Sequence, residues 1–92
     1  MQASAREGLL KTTRYFDEQV LRKRPYLLRE WCERALVDPL MREVQADGRV
    51  RCWVRVRLDG ETQDRFLRVV FLADEETVHN AFLDRDFAKG RS

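Results

Sequence analysis

Between Arg49 and Leu58 the chain alternates without a break. Val50, Cys52, Val54, Val56 and Leu58 hold one parity, and Arg51, Trp53, Arg55 and Arg57 hold the other. Period-two alternation of this length predicts a strand with one face in the core and the other in water. Upstream the period is helical. Leu28, Trp31, Cys32, Ala35 and Leu36 fall at i, i+3, i+4, i+7 and i+8, with Arg29, Glu30, Glu33 and Arg34 turned away, so an amphipathic helix is expected there, closed by Asp38-Pro39. Earlier still, Ser4 and Glu7 have capping-box spacing, and Leu9, Thr13, Phe16 and Val20 share one stripe. They predict a first helix from about Ala5 to Lys23, with residues 1–12 as a frayed extension. Pro25 disfavours helical geometry at Arg24 and separates the two helices.

After Pro39 the pattern is that of a sheet. Met41 to Gln45 reads as a short strand, and Ala46-Asp47-Gly48 as a hairpin turn. Asp59-Gly60 opens a polar loop that runs through Asp64, ahead of the apolar run Phe66 to Leu72. Thr77 to Leu83 is the last strand, with Val78 and Phe82 as its expected inward pair, and on that parity His79 faces outward with the arginines. Leu67 and Val69 compete with Phe66 and Val70 for the core, which leaves the direction of Arg68 open. Phe87 is the one large apolar residue of the polar ending, and is expected to dock a tail that is flexible over 88–92. The expected architecture is a single α+β domain over residues 1–92, two N-terminal helices packed on one face of a four-stranded antiparallel sheet.

Composition narrows the picture further. A chain of 92 residues has room for one core, and 37% charged against 43% hydrophobic residues suits a globule with a solvated surface. The net charge of +2 is too small to imply a partner. Fifteen of the 18 basic residues are arginine, the better fork for phosphate and carboxylate, although a GC-rich genome gives the same bias. Cys32 and Cys52 form neither a CxxC pair nor a zinc-spaced cluster, and read as buried, reduced thiols. No metal or cofactor is expected. With neither a signal-peptide h-region nor an apolar run of membrane-spanning length, a cytoplasmic protein without a membrane partner is expected.

Candidate chemistry gathers on the outward face of the long strand. Arg51, Trp53, Arg55 and Arg57 interleave an indole with guanidinium groups, a pattern suited to gripping a phosphate backbone while stacking a base. The same row also serves simply to keep an exposed strand soluble. His79, the only histidine, is the side chain best poised for proton transfer near neutral pH, and a lone strand histidine is equally a structural residue. Arg85, between Asp84 and Asp86, is either a terminal phosphate clamp or a salt-bridged sheet end. Arg22-Lys23-Arg24 suits the negative end of a helix dipole and offers a further nucleic-acid contact. Glycine-rich phosphate loops, the GxSxG elbow and paired carboxylates in an apolar setting are missing, which sets several enzyme classes aside.

Arg24-Pro25-Tyr26, the run Gln45-Ala46-Asp47-Gly48-Arg49 into Trp53, Leu67-Arg68-Val69-Val70, Thr77 to Phe82 and the closing Asp84-Arg85 together give the chain from Phe16 onward a resemblance to the RelE/ParE-like toxin superfamily. Within it, the small phage- and plasmid-associated RelE-like domains of unknown function are the most similar. The resemblance implies a metal-independent endoribonuclease acting on mRNA, often on the ribosome, and inhibited by a partner antitoxin. It would make His79 an acid or base, with Arg51, Arg55 and Arg68 clamping phosphate, Trp53 stacking a base, and Arg57 and Arg85 as further nucleic-acid contacts. ParE-like members are not ribonucleases, so a non-catalytic module binding nucleic acid or protein on the same fold is the alternative. A homodimer pairing through a strand edge or the Trp53 face is a third expectation.

Overall fold

The computed structural model describes residues 10–87. A two-residue strand, β1 (Lys11–Thr12), precedes a helical segment, α1, wound as a π-helix over Phe16–Val20 and as an α-helix over Leu21–Lys23. Helix α2 (Arg29–Val37) comes next, then strands β2 (Met41–Val44), β3 (Val50–Val56), β4 (Arg65–Phe71) and β5 (Thr77–Leu83). They form one sheet in the order β1-β5-β4-β3-β2. The β2 to β5 pairs are antiparallel, and β1 joins β5 in parallel, with Lys11 opposite Thr77 and Thr12 opposite Val78.

The α+β class is as expected, but the sheet has five strands and is mixed, where the sequence pattern predicts four antiparallel strands. Lys11 and Thr12, expected in the first helix, are the fifth strand. The physical reason lies in Thr12-Thr13, β-branched residues that favour extended backbone. Thr13 donates its N–H to Val78 O at 3.0 Å and then accepts the Phe16 N–H on its hydroxyl at 3.1 Å, ending the strand and starting the helix with one residue. The Ser4–Glu7 capping box, most of the expected extension and the tail 88–92 lie outside the described residues.

Both helices lie on one face of the sheet. Phe16 and Val20 from α1 and Trp31, Cys32 and Ala35 from α2 meet Val50, Cys52, Val54 and Val56 of β3, Leu67, Val69 and Phe71 of β4, and Val78 and Ala81 of β5. The π-wound turn brings Phe16 and Val20 close to one line, and both are buried. The apolar stripe of α2 is narrower than its spacing suggests, since Leu28 and Leu36 are 47% and 38% exposed. Competition along β4 resolves in favour of Leu67, Val69 and Phe71, so Phe66, Arg68 and Val70 share the opposite, outer face.

On β5 the expected inward pair is half right. Val78 is buried, but a register shift at Val70/Phe71 sets Phe71 opposite Val78 and Val70 opposite Asn80. His79 is therefore an extra, bulged residue, and the phase of the strand reverses after it. Ala81 enters the core and Phe82 turns outward, under the guanidinium of Arg68 at 4.5 Å.

Two turns depend on special backbone. Gly48 closes the β2–β3 hairpin at φ +92°, with its would-be Cβ 3.4 Å from the Ala73 Cβ, so an L side chain there is strained and crowded. In the β4–β5 turn, Asp74 accepts the N–H groups of Glu76 and Thr77, each at 2.9 Å, and the Thr77 hydroxyl at 2.5 Å. These bonds, led by the Thr77 hydroxyl, hold its carboxyl down at about 2. A carboxyl depressed in the fold stabilises it at pH values above its unfolded pKa, and that contribution fades as pH falls through the folded value. The Asp74→Asn variant is accordingly expected to show a shallower loss of stability between about pH 4 and pH 2 than the wild type in acid unfolding.

Candidate functional site

The outer face is built by β3, β4, β5 and the chain after β5. Its centre is not the open indole-and-arginine row expected from the sequence. Trp53 is 4% exposed, stacked on Phe87 at 5.2 Å between ring centroids. Phe87 also meets Phe66 at 5.2 Å, so Phe87 itself docks on this face and covers the indole. Trp53 donates Nε1–H to Asp84 Oδ2 at 2.9 Å, and Asp84 donates its own backbone N–H to Phe66 O at 2.8 Å. The same carboxylate faces Arg68 Nε at 3.5 Å, a buried nitrogen that makes no hydrogen bond. The reading of Trp53 as a wet stacking platform is thereby corrected: its ring lies beneath the segment Asp84 to Phe87.

The arginines of this face are met by acids from the same chain. Arg51 lies 3.5 Å from Glu43, and the Gln45 amide, turned so that its oxygen faces the guanidinium, accepts from Arg51 at 3.0 Å. Arg55 and Arg57 share Asp64, at 3.7 Å and 2.9 Å. Such half-exposed pairs contribute about 0–1 kcal/mol each and yield readily to a competing anion. Arg85 is exposed and lines a shallow depression with Gly60, Thr62 and Arg65. Arg24, from the basic cluster closing α1, has its guanidinium 5.8 Å from the Phe82 ring.

The second feature is His79. The bulge places His79 and Asn80 in succession between the core residues Val78 and Ala81. Its Nδ1 is 3.1 Å from the Thr13 hydroxyl, and its ring lies 5.0 Å from that of Tyr15. Burial, assisted by the field of the Arg49 guanidinium, lowers its pKa below the usual 6.5 and so favours the neutral imidazole. When Nδ1–H donates to Thr13, Nε2 keeps its lone pair, the form a general base requires.

The register sorts the sequence-derived residues into two ends. Arg51 lies opposite Val70, which lies opposite Asn80, so Arg51 sits at the level of the bulge. Arg68 is two residues farther along β4, and Arg55 lies opposite Phe66, four residues from Val70 and about 13 Å away along the strand. His79, Arg51 and Arg49 therefore share one end, whereas Arg55, Arg57 and Arg85 belong to the other. Thr13, Tyr15 and Arg49 carry no sequence signal that marks them as site residues. For the first two, only the β1–β5 pairing, invisible in a two-residue strand, could have found them.

Cys32 and Cys52 are buried thiols, with burial pushing Cys32 up to about 12 and raising Cys52 as well. Among the described residues there is no group of three or more His, Cys, Asp or Glu side chains placed to hold a metal ion, and no helix long and apolar enough to cross a membrane. Comparison with protein-family models, curated proteins and solved structures finds no match to this chain.

Proposed function

We propose that the chain is a RelE-like, metal-independent endoribonuclease domain acting on mRNA, with its centre at the His79 end of the outer face. The observation that carries this reading is an imidazole anchored by Thr13, with Arg49 near enough to depress its pKa and Arg51 at the same level of the sheet. His79 Nε2 takes the proton of an RNA 2′-hydroxyl. The oxygen attacks the adjacent phosphorus, the P–O5′ bond breaks, and a 2′,3′-cyclic phosphate and a 5′-hydroxyl result, the leaving oxygen being protonated by an acid or solvent water. Arg51 and Arg49 stabilise the charge that develops on phosphorus, and Arg55, Arg68 and Arg57 meet the backbone farther along. Arrest of growth and inhibition by an antitoxin partner belong to the same reading.

The experiment is cleavage of a mixed-sequence RNA by the full chain in the presence of a chelator. His79→Ala is expected to lower the rate by about 10²- to 10⁴-fold while circular dichroism stays unchanged. The wild-type rate should rise with pH through a midpoint below 6.5 and then level off, because the base works deprotonated. A His79→Ala rate equal to the wild type removes the histidine from the mechanism.

A specific observation favours a second reading, a non-catalytic binding module. The arginine row is neutralised by Glu43, Asp64 and Asp84, and Trp53 is covered. Salt separates the two ligand classes: RNA affinity that falls steeply with ionic strength marks phosphate gripping, and weak, salt-independent affinity marks a protein partner.

A further inference from the structure

We infer that Tyr15 is the platform on which the base of the attacked nucleotide stacks, an inference that rests on the reading of His79 as the base that activates the 2′-hydroxyl. On ribose the carbon bearing that hydroxyl and the carbon bearing the nucleobase are neighbours. An imidazole within hydrogen-bond reach of the hydroxyl therefore brings the nucleobase of the same nucleotide close to its own ring, so whatever stands beside His79 meets it. Tyr15 stands there, with 5.0 Å between ring centroids and 31° between planes. Closer to parallel than to edge-on, the two rings begin a stack that a nucleobase can extend. Tyr15 is 45% exposed, and no other aromatic ring among the described residues is as exposed.

The pairing of the two rings is built into the fold. Thr13 donates its N–H to Val78 O at 3.0 Å, and its hydroxyl lies 3.1 Å both from the Phe16 N–H that it accepts and from His79 Nδ1. Tyr15 has helical backbone between Thr13 and the fully buried Phe16, so one threonine fixes both the imidazole and the turn that carries the phenol ring. Stacking area of this kind is not on offer at Trp53, whose indole lies against Phe87. The acids of the Tyr15 turn do not oppose the arrangement, because a nucleobase brings no charge, and Asp17 and Glu18 are bonded to Thr12 and Arg14. Recognition through a ring face admits every base, with the larger purines favoured.

The test uses an RNA methylated on every 2′-hydroxyl but one, which confines cleavage to a single linkage, and a second strand that lacks the base of that one nucleotide. Both are given to the full-length wild type and to Tyr15→Phe, Tyr15→Ala, Tyr15→Leu and His79→Ala, with folding checked by circular dichroism. For the wild type, loss of the base is expected to lower kcat/KM by about 10- to 100-fold, and Tyr15→Phe, which keeps the ring, should behave alike. Tyr15→Ala should lose a similar factor on the intact strand and be indifferent to the missing base. Tyr15→Leu should match it, since leucine keeps an apolar contact with His79 but has no flat face. A variant that slows both strands equally and keeps the dependence on the base overturns the inference, because Tyr15 then acts only through the fold. So does a Tyr15→Ala rate equal to the wild type, with cleavage still lost in His79→Ala, and that outcome leaves the role of His79 standing. Absence of cleavage by the folded wild type removes the role of His79 and the inference with it.

Discussion

Phe16→Ala is expected to lower stability by about 3–5 kcal/mol in chemical denaturation, a large part of the roughly 5–15 kcal/mol available to a domain of this size. Phe16 is fully buried and is the largest side chain that α1 places in the core, beside Val20. The turn carrying it is held to the sheet through Thr13, which bonds the Phe16 N–H, the Val78 carbonyl and His79. Truncation leaves a cavity that a short π-wound turn pinned at its start closes poorly. Phe16→Leu keeps most of the volume and should lose markedly less. A loss under about 1 kcal/mol for the alanine variant would show that α1 does not anchor the core.

The second large effect is expected on the outer face. Asp84→Ala should cost about 2–4 kcal/mol and release Phe87 from Trp53. One carboxylate accepts the indole N–H at 2.9 Å, faces the buried Arg68 Nε at 3.5 Å and accepts the Asp86 N–H at 3.1 Å. Removing it strands the indole N–H and leaves the Arg68 charge without its counter-ion in a region where the Asp84 side chain is 12% and the Arg68 side chain 25% exposed. Asp84→Asn keeps an acceptor for the indole while losing the charge, and should fall between the two. Trp53 emission should shift to longer wavelength in the alanine variant as the ring meets water. Unchanged emission and stability would contradict a clamp centred on Asp84.

Much of the fold is legible in the sequence because its period is unambiguous. The inward parity of β3, the amphipathic α2, the Gly48 turn and the bounds of β5 are all set by residues that local physics constrains strongly. The misreadings have particular causes. Lys11–Thr12 is too short for any period, and its pairing with Thr77–Val78 is long-range, so Thr13 reads as one more member of a helical stripe. The bulge at His79 inverts the parity of the rest of β5, and Val78 with Phe82 is the pair an unbroken strand would bury. Trp53 sits on the wet parity of its strand, and only the return of Asp84 to Phe87 across the face makes it a buried residue.

The candidate site is legible in part for the same reasons. His79 and Arg51 stand out by composition and alternation, but their grouping with Arg49, Thr13 and Tyr15 depends on the register shift and on β1. Arg55, Arg57 and Arg68 share a face with them without sharing an end of it. Alternation along a strand tells which side a residue faces, and cross-strand register is needed to tell what it faces there.

The central claim, a His79-centred transfer of the 2′-hydroxyl proton, is tested most directly by the ends of the RNA fragments. Purified full chain is incubated with RNA in the presence of a chelator, and the products are examined by mass spectrometry beside a His79→Ala control. Fragments ending in 2′,3′-cyclic phosphate or its 3′-phosphate hydrolysis product, with 5′-hydroxyl partners, formed by the wild type and lost in the variant, are the predicted result. Intact RNA with the folded wild-type chain, or the same fragments from His79→Ala, would contradict it.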